Sequence, residues 1–215
     1  NACLVPLTKS GKRFFEVNVK GTENVLKASI HNKVEHFSHM SSSAIFSKPK
    51  KNENVNYKKR KPTSLYGNSK YQAELLAENA MDKKIFKSCS IIRPRPILGE
   101  TRLGIFEILF DWVKDGKKIP IIGDGNNLFQ FANDEDLVDV SIETAMRNLS
   151  GFYNIGNEVY STLNKDLNDF FLKVNSKSRT LAISNLIAVP LLFALDKLNL
   201  SPLSRTFVSS LIIIS

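Results

Sequence analysis

The chain has 215 residues and a mass of 24.2 kDa, which is enough for one full-sized domain or two small ones. Hydrophobic residues make up 42% of it and charged residues 24%, so the composition excludes a disordered, collagen-like or disulfide-dense chain. The two cysteines, Cys3 and Cys89, are too few for a secreted scaffold and lack metal-ligand spacing, and we expect a reduced, cytoplasmic protein without a bound metal.

The net charge of +9 is concentrated in one segment. Between Lys48 and Lys61 there are seven basic residues and one acid, Glu53, which gives +6 within fourteen residues. A nucleic-acid interface needs positive charge spread over a folded face and aromatic side chains for base stacking, whereas only Tyr57 lies in this run. We therefore expect a solvated surface loop and no nucleic-acid partner. A loop that meets an anionic small substrate is the alternative.

Apolar periodicity predicts helices that alternate with short strands along the chain. The predicted helices are Val17–Ile30, Leu65–Met81, Ile105–Lys114, Asp134–Arg147 and Leu163–Val174. The predicted strands are Val34–Ser38, Ser90–Ile92, Ile119–Ile122 and Phe152–Ile155. Ser64 or Thr63 is suited to cap the second helix. This alternation is typical of an α/β fold with helices on the faces of a parallel sheet.

One apolar stretch near the end of the chain raises the question of a membrane segment. The residues from Leu181 to Leu195 are interrupted by Asn185 and Pro190, so the stretch is too short and too broken to span a bilayer. We expect it to cover a C-terminal lobe, and no membrane contact is predicted.

Tyr66 and Lys70 carry the clearest chemical signal. They stand four residues apart near the start of a predicted helix, so their side chains share one face and can meet the same ligand. A nearby ammonium group and the helix N-terminus both stabilise a phenolate, and we expect them to lower the pKa of Tyr66 from about 10. Such a phenol suits general acid or base catalysis. On its own, however, this spacing is common and is more often structural.

A run of serines, Ser41, Ser42 and Ser43, follows the predicted strand that ends near Ser38. The carboxyl ends of strands in an open α/β sheet are where ligands bind. A hydroxyl placed there can polarise a substrate oxygen while Tyr66 moves a proton. By itself the run is equally typical of a serine-rich turn.

Six segments in chain order resemble the extended short-chain dehydrogenase/reductase family, and within it the NAD-dependent epimerase/dehydratase branch. They are Val17–Leu26, Val34–Ala44, Tyr66–Lys70, Ile91–Pro94, Gly123–Leu137 and Tyr153–Gly156. The similarity extends from the first residue to about Pro202. It implies a Rossmann-type doubly wound parallel sheet in residues 1–100, and a small substrate lobe formed mostly by residues 101–215, with an interleaved return to the sheet.

The resemblance also implies roles for individual residues. Tyr66 would be the catalytic acid and base, Lys70 would hold the nicotinamide ribose and lower the pKa of Tyr66, and Ser42 would orient the substrate hydroxyl. Ser43 is the alternative to Ser42. The implied cofactor-binding residues are Ala2, Cys3, Asn18, Tyr66, Lys70 and Pro94. The implied substrate-binding residues are Ser43, Arg95 and Gln130.

The reaction implied by the resemblance is reversible hydride transfer between NAD or NADP and a hydroxyl-bearing carbon of a nucleotide sugar. Leu128-Phe129 stands where many sugar-nucleotide enzymes have an arginine for the diphosphate, and Phe46-Ser47 replaces the family's Tyr-Gly. A reductase of hydroxysteroid or flavonol type in the same family therefore stays open, as does a non-catalytic binding module. A homodimer is a further expectation of the resemblance.

The family's opening strand, glycine-rich turn and helix have no counterpart in this sequence. Each βαβ unit takes about 30 residues. We therefore expect about 60 or more residues ahead of Asn1, which would include the cradle for the pyrophosphate. Without that cradle, we expect the chain by itself to hold NAD weakly.

Overall fold

The computed structural model describes residues 3–5, 10–46, 60–99, 105–184, 186–188, 190 and 194. The α-helices in these ranges are α1 (Gly21–His31), α2 (Leu65–Asp82), α3 (Ile105–Lys114), α4 (Asp134–Met146) and α5 (Leu163–Lys173). The strands are β1 (His36–Met40), β2 (Ser88–Pro94), β3 (Ile97–Leu98), β4 (Lys118–Ile122), β5 (Leu128–Phe129), β6 (Ala132–Asn133), β7 (Gly151–Ile155), β8 (Ser161–Thr162) and β9 (Arg179–Ile183).

The chain divides into two compact units. The first comprises Asn1–Ile97 and Ala132–Gly156, and the second comprises Leu98–Phe131 and Asn157–Ser215. Each unit is therefore built from two separate stretches of sequence. The assignment of the second unit as a substrate lobe remains a proposal.

The first unit contains a parallel sheet in the order β1-β2-β7. Phe37 of β1 lies opposite Cys89 of β2, and Ile91 of β2 lies opposite Phe152 of β7. Every residue of β2 is buried, as expected for a central parallel strand covered on both faces. The predicted α/β class with a parallel sheet is confirmed.

Helices α1 and α2 cover one face of this sheet. The buried side chains there are Leu26, Phe37, Ala77, Ala80, Phe86, Cys89 and Ile91. The rings of Phe37 and Phe86 stack with their centroids 5.1 Å apart. Side chains alternate along a strand, so Ser90 faces the opposite side, where its hydroxyl lies 3.3 Å from Thr144 Oγ1 of α4.

The first predicted helix, Val17–Ile30, begins two residues earlier than expected, and its first part is not an α-helix. Phe15–Lys20 forms a π-helix that runs directly into α1, and Asn18 is its buried residue. Short π-helical segments are rare and often lie at functional sites. Helix α2 begins as predicted, because the Ser64 hydroxyl accepts a hydrogen bond from the Gly67 amide at 3.0 Å.

The second unit has its own core and its own parallel strand pair, β4 with β9. The core residues are Val113, Ile119, Ile121, Leu167 and Phe171. Strand β9 was not predicted, and the apolar stretch that starts at Leu181 thus opens as a strand. Residues 185, 189, 191–193 and 195 of that stretch lie outside the described residues. None of the described helices combines the length and apolar character that a membrane crossing requires.

The packing predicts different reactivities for the two thiols. Burial raises the pKa of the Cys89 thiol to about 11, whereas Cys3 is only half-buried. Since the thiolate is the reactive form, iodoacetamide at pH 8 should modify Cys3 in the folded protein and reach Cys89 only in denaturant. Peptide mass spectrometry measures both sites. Equal labelling of the two in the folded protein would contradict the packing around Cys89.

Candidate active site

The serine run lies at the carboxyl end of β1. The Ser41 amide donates a hydrogen bond to the Ile92 carbonyl at 2.7 Å, which extends the pairing of β1 with β2 by one residue. Ser42 then caps a short 3-10 turn, Ser43–Ile45, by accepting a hydrogen bond from the Ala44 amide at 3.2 Å. The chain therefore turns at the edge of the sheet where parallel α/β proteins bind ligands.

The first turn of α2 lies directly against this serine turn. A Cβ atom on Gly67 would stand 2.3 Å from the Ala44 carbonyl oxygen, far inside van der Waals contact. Glycine thus permits a backbone-to-backbone approach that any side chain would prevent. This approach brings Tyr66, the residue before Gly67, to Ser42.

The environment of Tyr66 overturns the predicted direction of its pKa. Burial raises the pKa of the phenol to about 12, the Cys3 side chain adds to the rise, and hydrogen bonding by the Ser42 side chain lowers it. The expected net lowering of this pKa is therefore wrong, because burial outweighs the hydrogen bonding that lowers it. The Lys70 ammonium instead donates to the Met40 carbonyl at 2.5 Å and lies 3.9 Å from the Cys3 sulfur.

Lys70 is a buried cation. Burial lowers the pKa of its ammonium, while the side chains of Cys3 and Glu74 raise it. Nearby His39 is buried too, and burial together with the Lys70 charge lowers the pKa of its imidazole to about 3. Within the described ranges, His39 Nε2 has no hydrogen-bond partner. At neutral pH the imidazole is therefore uncharged.

Asn18 ties the segment around Cys3 to α2. Its Oδ1 accepts a hydrogen bond from the Leu4 amide at 2.9 Å, and its Nδ2 donates to the Leu4 carbonyl at 3.2 Å and to Ser69 Oγ at 3.0 Å. Both ends of the amide are thus used within the protein, which fixes the Cys3 segment beside Lys70. Direct cofactor contact by Asn18 remains a prediction.

The remaining residues that were predicted to bind cofactor or substrate lie in different parts of the structure. Pro94 is buried at the end of β2, and the exposed Arg95 follows it, with its amide donating to the Ile155 carbonyl at 2.9 Å. Gln130 belongs to the second unit, where its Nε2 donates to the Asn157 carbonyl at 2.6 Å. Ser43 is the first residue of the 3-10 turn after Ser42. Ala2 lies outside the described residues.

Glu74, which was not predicted from the sequence, is a fully buried carboxylate one turn beyond Lys70. It accepts hydrogen bonds from Arg93 at 3.0 and 2.7 Å, from the Ser41 hydroxyl at 2.5 Å and from Arg60 at 2.9 Å. Burial raises the pKa of this carboxyl, but the hydrogen bonds from Arg93, Ser41 and Arg60 outweigh burial and hold it below the usual value. Its spacing of four residues from Lys70 was the one available signal.

Arg60 departs from the prediction of a solvated basic loop. Its side chain is only 14% exposed, and it pairs with Glu78 at 2.6 Å as well as with Glu74. The prediction is therefore wrong for this residue, because two buried or half-buried carboxylates draw the guanidinium inward. Residues 48–59 of the basic run lie outside the described residues.

The parallel sheet β1-β2-β7, with helices packed on its faces, is of the Rossmann-type α/β class. The serine turn follows β1, and Tyr66 and Lys70 lie on the adjacent α2. The model of the NAD dependent epimerase/dehydratase family matches residues 8–156, and the chain belongs to that family. The predicted family and fold are confirmed. The described residues contain no group of three or more His, Cys, Asp or Glu side chains that could hold a metal ion.

Two curated relatives and one solved structure illustrate the similarity. The protein y4nG of Sinorhizobium fredii (strain NBRC 101917 / NGR234) is 36% identical over 185 residues, which are 85% of this chain and 46% of the relative. The N-acetyl-alpha-D-glucosaminyl-diphospho-ditrans,octacis-undecaprenol 4-epimerase of Escherichia coli O157:H7 is 34% identical over 157 residues, which are 72% of this chain and 45% of the relative. The chain thus spans about half the length of these relatives.

The solved structure is the UDP-glucose 4-epimerase of Thermus thermophilus in complex with NAD. It superposes with a TM-score of 0.73 at 18% identity, over 86% of this chain and 63% of that one. At this identity the likeness establishes the fold. The activity of the present protein has to be inferred from the side chains of the candidate site.

Proposed function

We propose that the protein is an NAD- or NADP-dependent epimerase that acts on a sugar carried by a diphosphate, with Tyr66 as its acid and base. The observation that carries this proposal is the gathering of Ser42, Tyr66 and Lys70 at the carboxyl end of β1. In a member of the NAD dependent epimerase/dehydratase family, this edge is where a dinucleotide and a substrate are expected to meet.

The donors at this edge fit the nicotinamide ribose of the cofactor. An ammonium has three N–H donors, and the described contacts of Lys70 use two of them, toward the Met40 carbonyl and the Cys3 sulfur. The third is available for a ribose hydroxyl. Pro94 would border the ring and Cys3 the ribose side. When bound, NAD supplies the hydride acceptor and donor.

The remaining chemistry is proton transfer by this chain's own residues. A phenol with a pKa of about 12 is protonated at neutral pH, so Tyr66 holds the proton that would go to the C4 oxygen when the keto sugar is reduced. When the C4 hydroxyl is oxidised, the phenolate would take that proton up again. The Ser42 hydroxyl would hold that substrate oxygen and stabilise the phenolate left behind. Ser43 and Arg95 of the first unit are the proposed contacts to the rest of the substrate.

The proposed substrate class comes from the Escherichia coli relative, whose name describes 4-epimerisation of a diphosphate-linked N-acetylglucosamine. We propose the same class here, an N-acetylhexosamine attached through a diphosphate.

The direct test follows the configuration at C4 of the sugar. The full-length protein is incubated with NAD and either UDP-N-acetylglucosamine or a short prenyl-diphosphate N-acetylglucosamine, and proton NMR follows the C4 signal. We expect interconversion of the gluco and galacto forms with at least one donor. No conversion of either, or net reduction of NAD to NADH with an oxidised sugar as product, would overturn the epimerase proposal, and the second result would favour a dehydrogenase.

A further inference from the structure

The Glu74 carboxylate joins three parts of the chain that surround the proposed active site. Ser41 precedes Ser42, and Arg93 precedes Pro94 at the end of β2. Arg60 stands four residues before the cap of α2, Ser64. Each of the three donates at least one hydrogen bond to Glu74, between 2.5 and 3.0 Å. All of these contacts are internal to the first unit.

Aromatic rings hold both guanidinium groups in place. Arg93 lies 4.2 Å from the centroid of Phe152 and 5.3 Å from that of Phe46. Arg60 lies 5.3 Å from the centroid of Tyr71 and 5.9 Å from that of Phe152. The two cations are therefore fixed by stacking as well as by charge, and they hold the carboxylate between them.

A network of this kind is a weak source of stability. Removing charges from water costs free energy, which only good pairing geometry offsets. Well-packed apolar residues of similar volume often stabilise a fold at least as much as a buried ion pair does. The network does, however, fix the positions of its side chains relative to one another, because the planar Glu74 carboxylate accepts four hydrogen bonds. A role in placing neighbouring groups explains its position one turn from Lys70 better than stability does.

We propose that Glu74 is a positioning residue, which sets the place of Ser42 relative to Tyr66 by holding the Ser41 hydroxyl. This inference rests on the proposed function, in which Ser42 and Tyr66 act on the substrate. Ser41 has two anchors, its amide on the Ile92 carbonyl at 2.7 Å and its hydroxyl on Glu74 at 2.5 Å. Ser42 is the next residue along the chain, so losing the second anchor moves it.

The position of Ser42 affects proton transfer because it affects the pKa of Tyr66. Hydrogen bonding by the Ser42 side chain lowers the pKa of the phenol. A displaced Ser42 therefore lets that pKa rise, and the proton comes off Tyr66 only at higher pH. A change confined to stability would leave the pKa of Tyr66 where it is.

The test compares Ser41→Ala with its matched control Ser141→Ala. Ser141 lies in α4, where its hydroxyl donates to the Leu137 carbonyl of the same helix at 2.6 Å. We expect Ser41→Ala to lower kcat about 10-fold, with little change in KM for the cofactor, and to move the rising limb of the kcat–pH profile to higher pH. Ser141→Ala should leave both unchanged. Loss of thermal stability in Ser41→Ala with an unchanged kcat and pH profile would overturn the proposal.

A second pair of variants addresses the carboxylate itself. Glu74→Gln should shift the pH profile in the same direction as Ser41→Ala, whereas Glu143→Gln, which breaks an exposed ion pair with Arg147, should not. Should Glu74→Gln fail to fold, Ser41→Ala still decides, because in that variant Glu74 keeps both arginines. A folded Glu74→Gln with wild-type kinetics would contradict the positioning role.

One readout separates this inference from the proposed function. In protein labelled with ¹³C-tyrosine, the Cζ signal of Tyr66, assigned from its absence in Tyr66→Phe, reports the hydrogen bonding of the phenol without any substrate. We expect Ser41→Ala to shift it and Ser141→Ala to leave it in place. If the wild type proves inactive on the sugars while this shift occurs, the proposed function fails and the positioning role stands. An unmoved signal overturns the positioning role.

Discussion

Replacing Tyr66 by phenylalanine should reduce turnover by about 10²- to 10⁴-fold, the contribution usual for a general acid or base. The change removes only the phenol oxygen, and the ring can keep its edge-on contact with Phe14, whose centroid lies 6.0 Å away. The fold should therefore be retained. The rate is measured by NMR of the sugar, and the folded state by circular dichroism during thermal unfolding.

Tyr71→Phe is the matched control on the same helix. Its ring, which contacts the Arg60 guanidinium at 5.3 Å, is kept, and only a hydroxyl outside the proposed site is lost. We expect its kcat to equal that of the wild type. Full activity in Tyr66→Phe, or equal losses in both variants, would contradict the acid and base role of Tyr66.

Replacing Gly67 by alanine should destabilise the protein, although alanine favours helices. A methyl group there would meet the Ala44 carbonyl oxygen at 2.3 Å, and backbone cannot yield as a flexible side chain can. Overpacking of this kind costs about 1 to 3 kcal/mol. Because α2 and the serine turn would be forced apart, the variant should also lose turnover. The free energy of unfolding comes from denaturation in urea.

Gly21→Ala is the control variant, for which the expected change in the free energy of unfolding has the opposite sign. Gly21 is also helical, and nothing lies within 4 Å of the place its Cβ would take. Alanine is favoured over glycine in a helix by about 1 kcal/mol, so this variant should be neutral or more stable. Stabilisation of both variants would show that the close approach at Gly67 is not a real constraint.

Most of the fold was predictable because its signals are local. Helix α3 occupies the predicted residues Ile105–Lys114, and α2 extends one residue beyond the predicted Leu65–Met81. Strands β3, β5, β6 and β8 are two residues each, too short for any periodicity to show. Strand β9 pairs with β4, a partner about 60 residues away in sequence, which no local pattern specifies.

The sequence indicated which residues of the candidate site lie near one another, but it did not indicate their electrostatics. Spacing placed Tyr66 and Lys70 on one helical face, and strand position placed Ser42 at the sheet edge. Spacing cannot report burial, however, and burial raises the pKa of Tyr66 to about 12 and leaves Lys70 bonded to the Met40 carbonyl. Glu74 was missed for the same reason, since a charged residue in a helix usually faces solvent.

A crystal structure of the full-length protein with NAD tests the proposed catalytic site most directly. We predict that a hydroxyl of the nicotinamide ribose is hydrogen-bonded to Lys70 Nζ, that the nicotinamide ring lies beside Pro94, and that the Tyr66 hydroxyl faces the substrate side of the ring. NAD bound away from Lys70 and Tyr66 would contradict the proposed catalytic site.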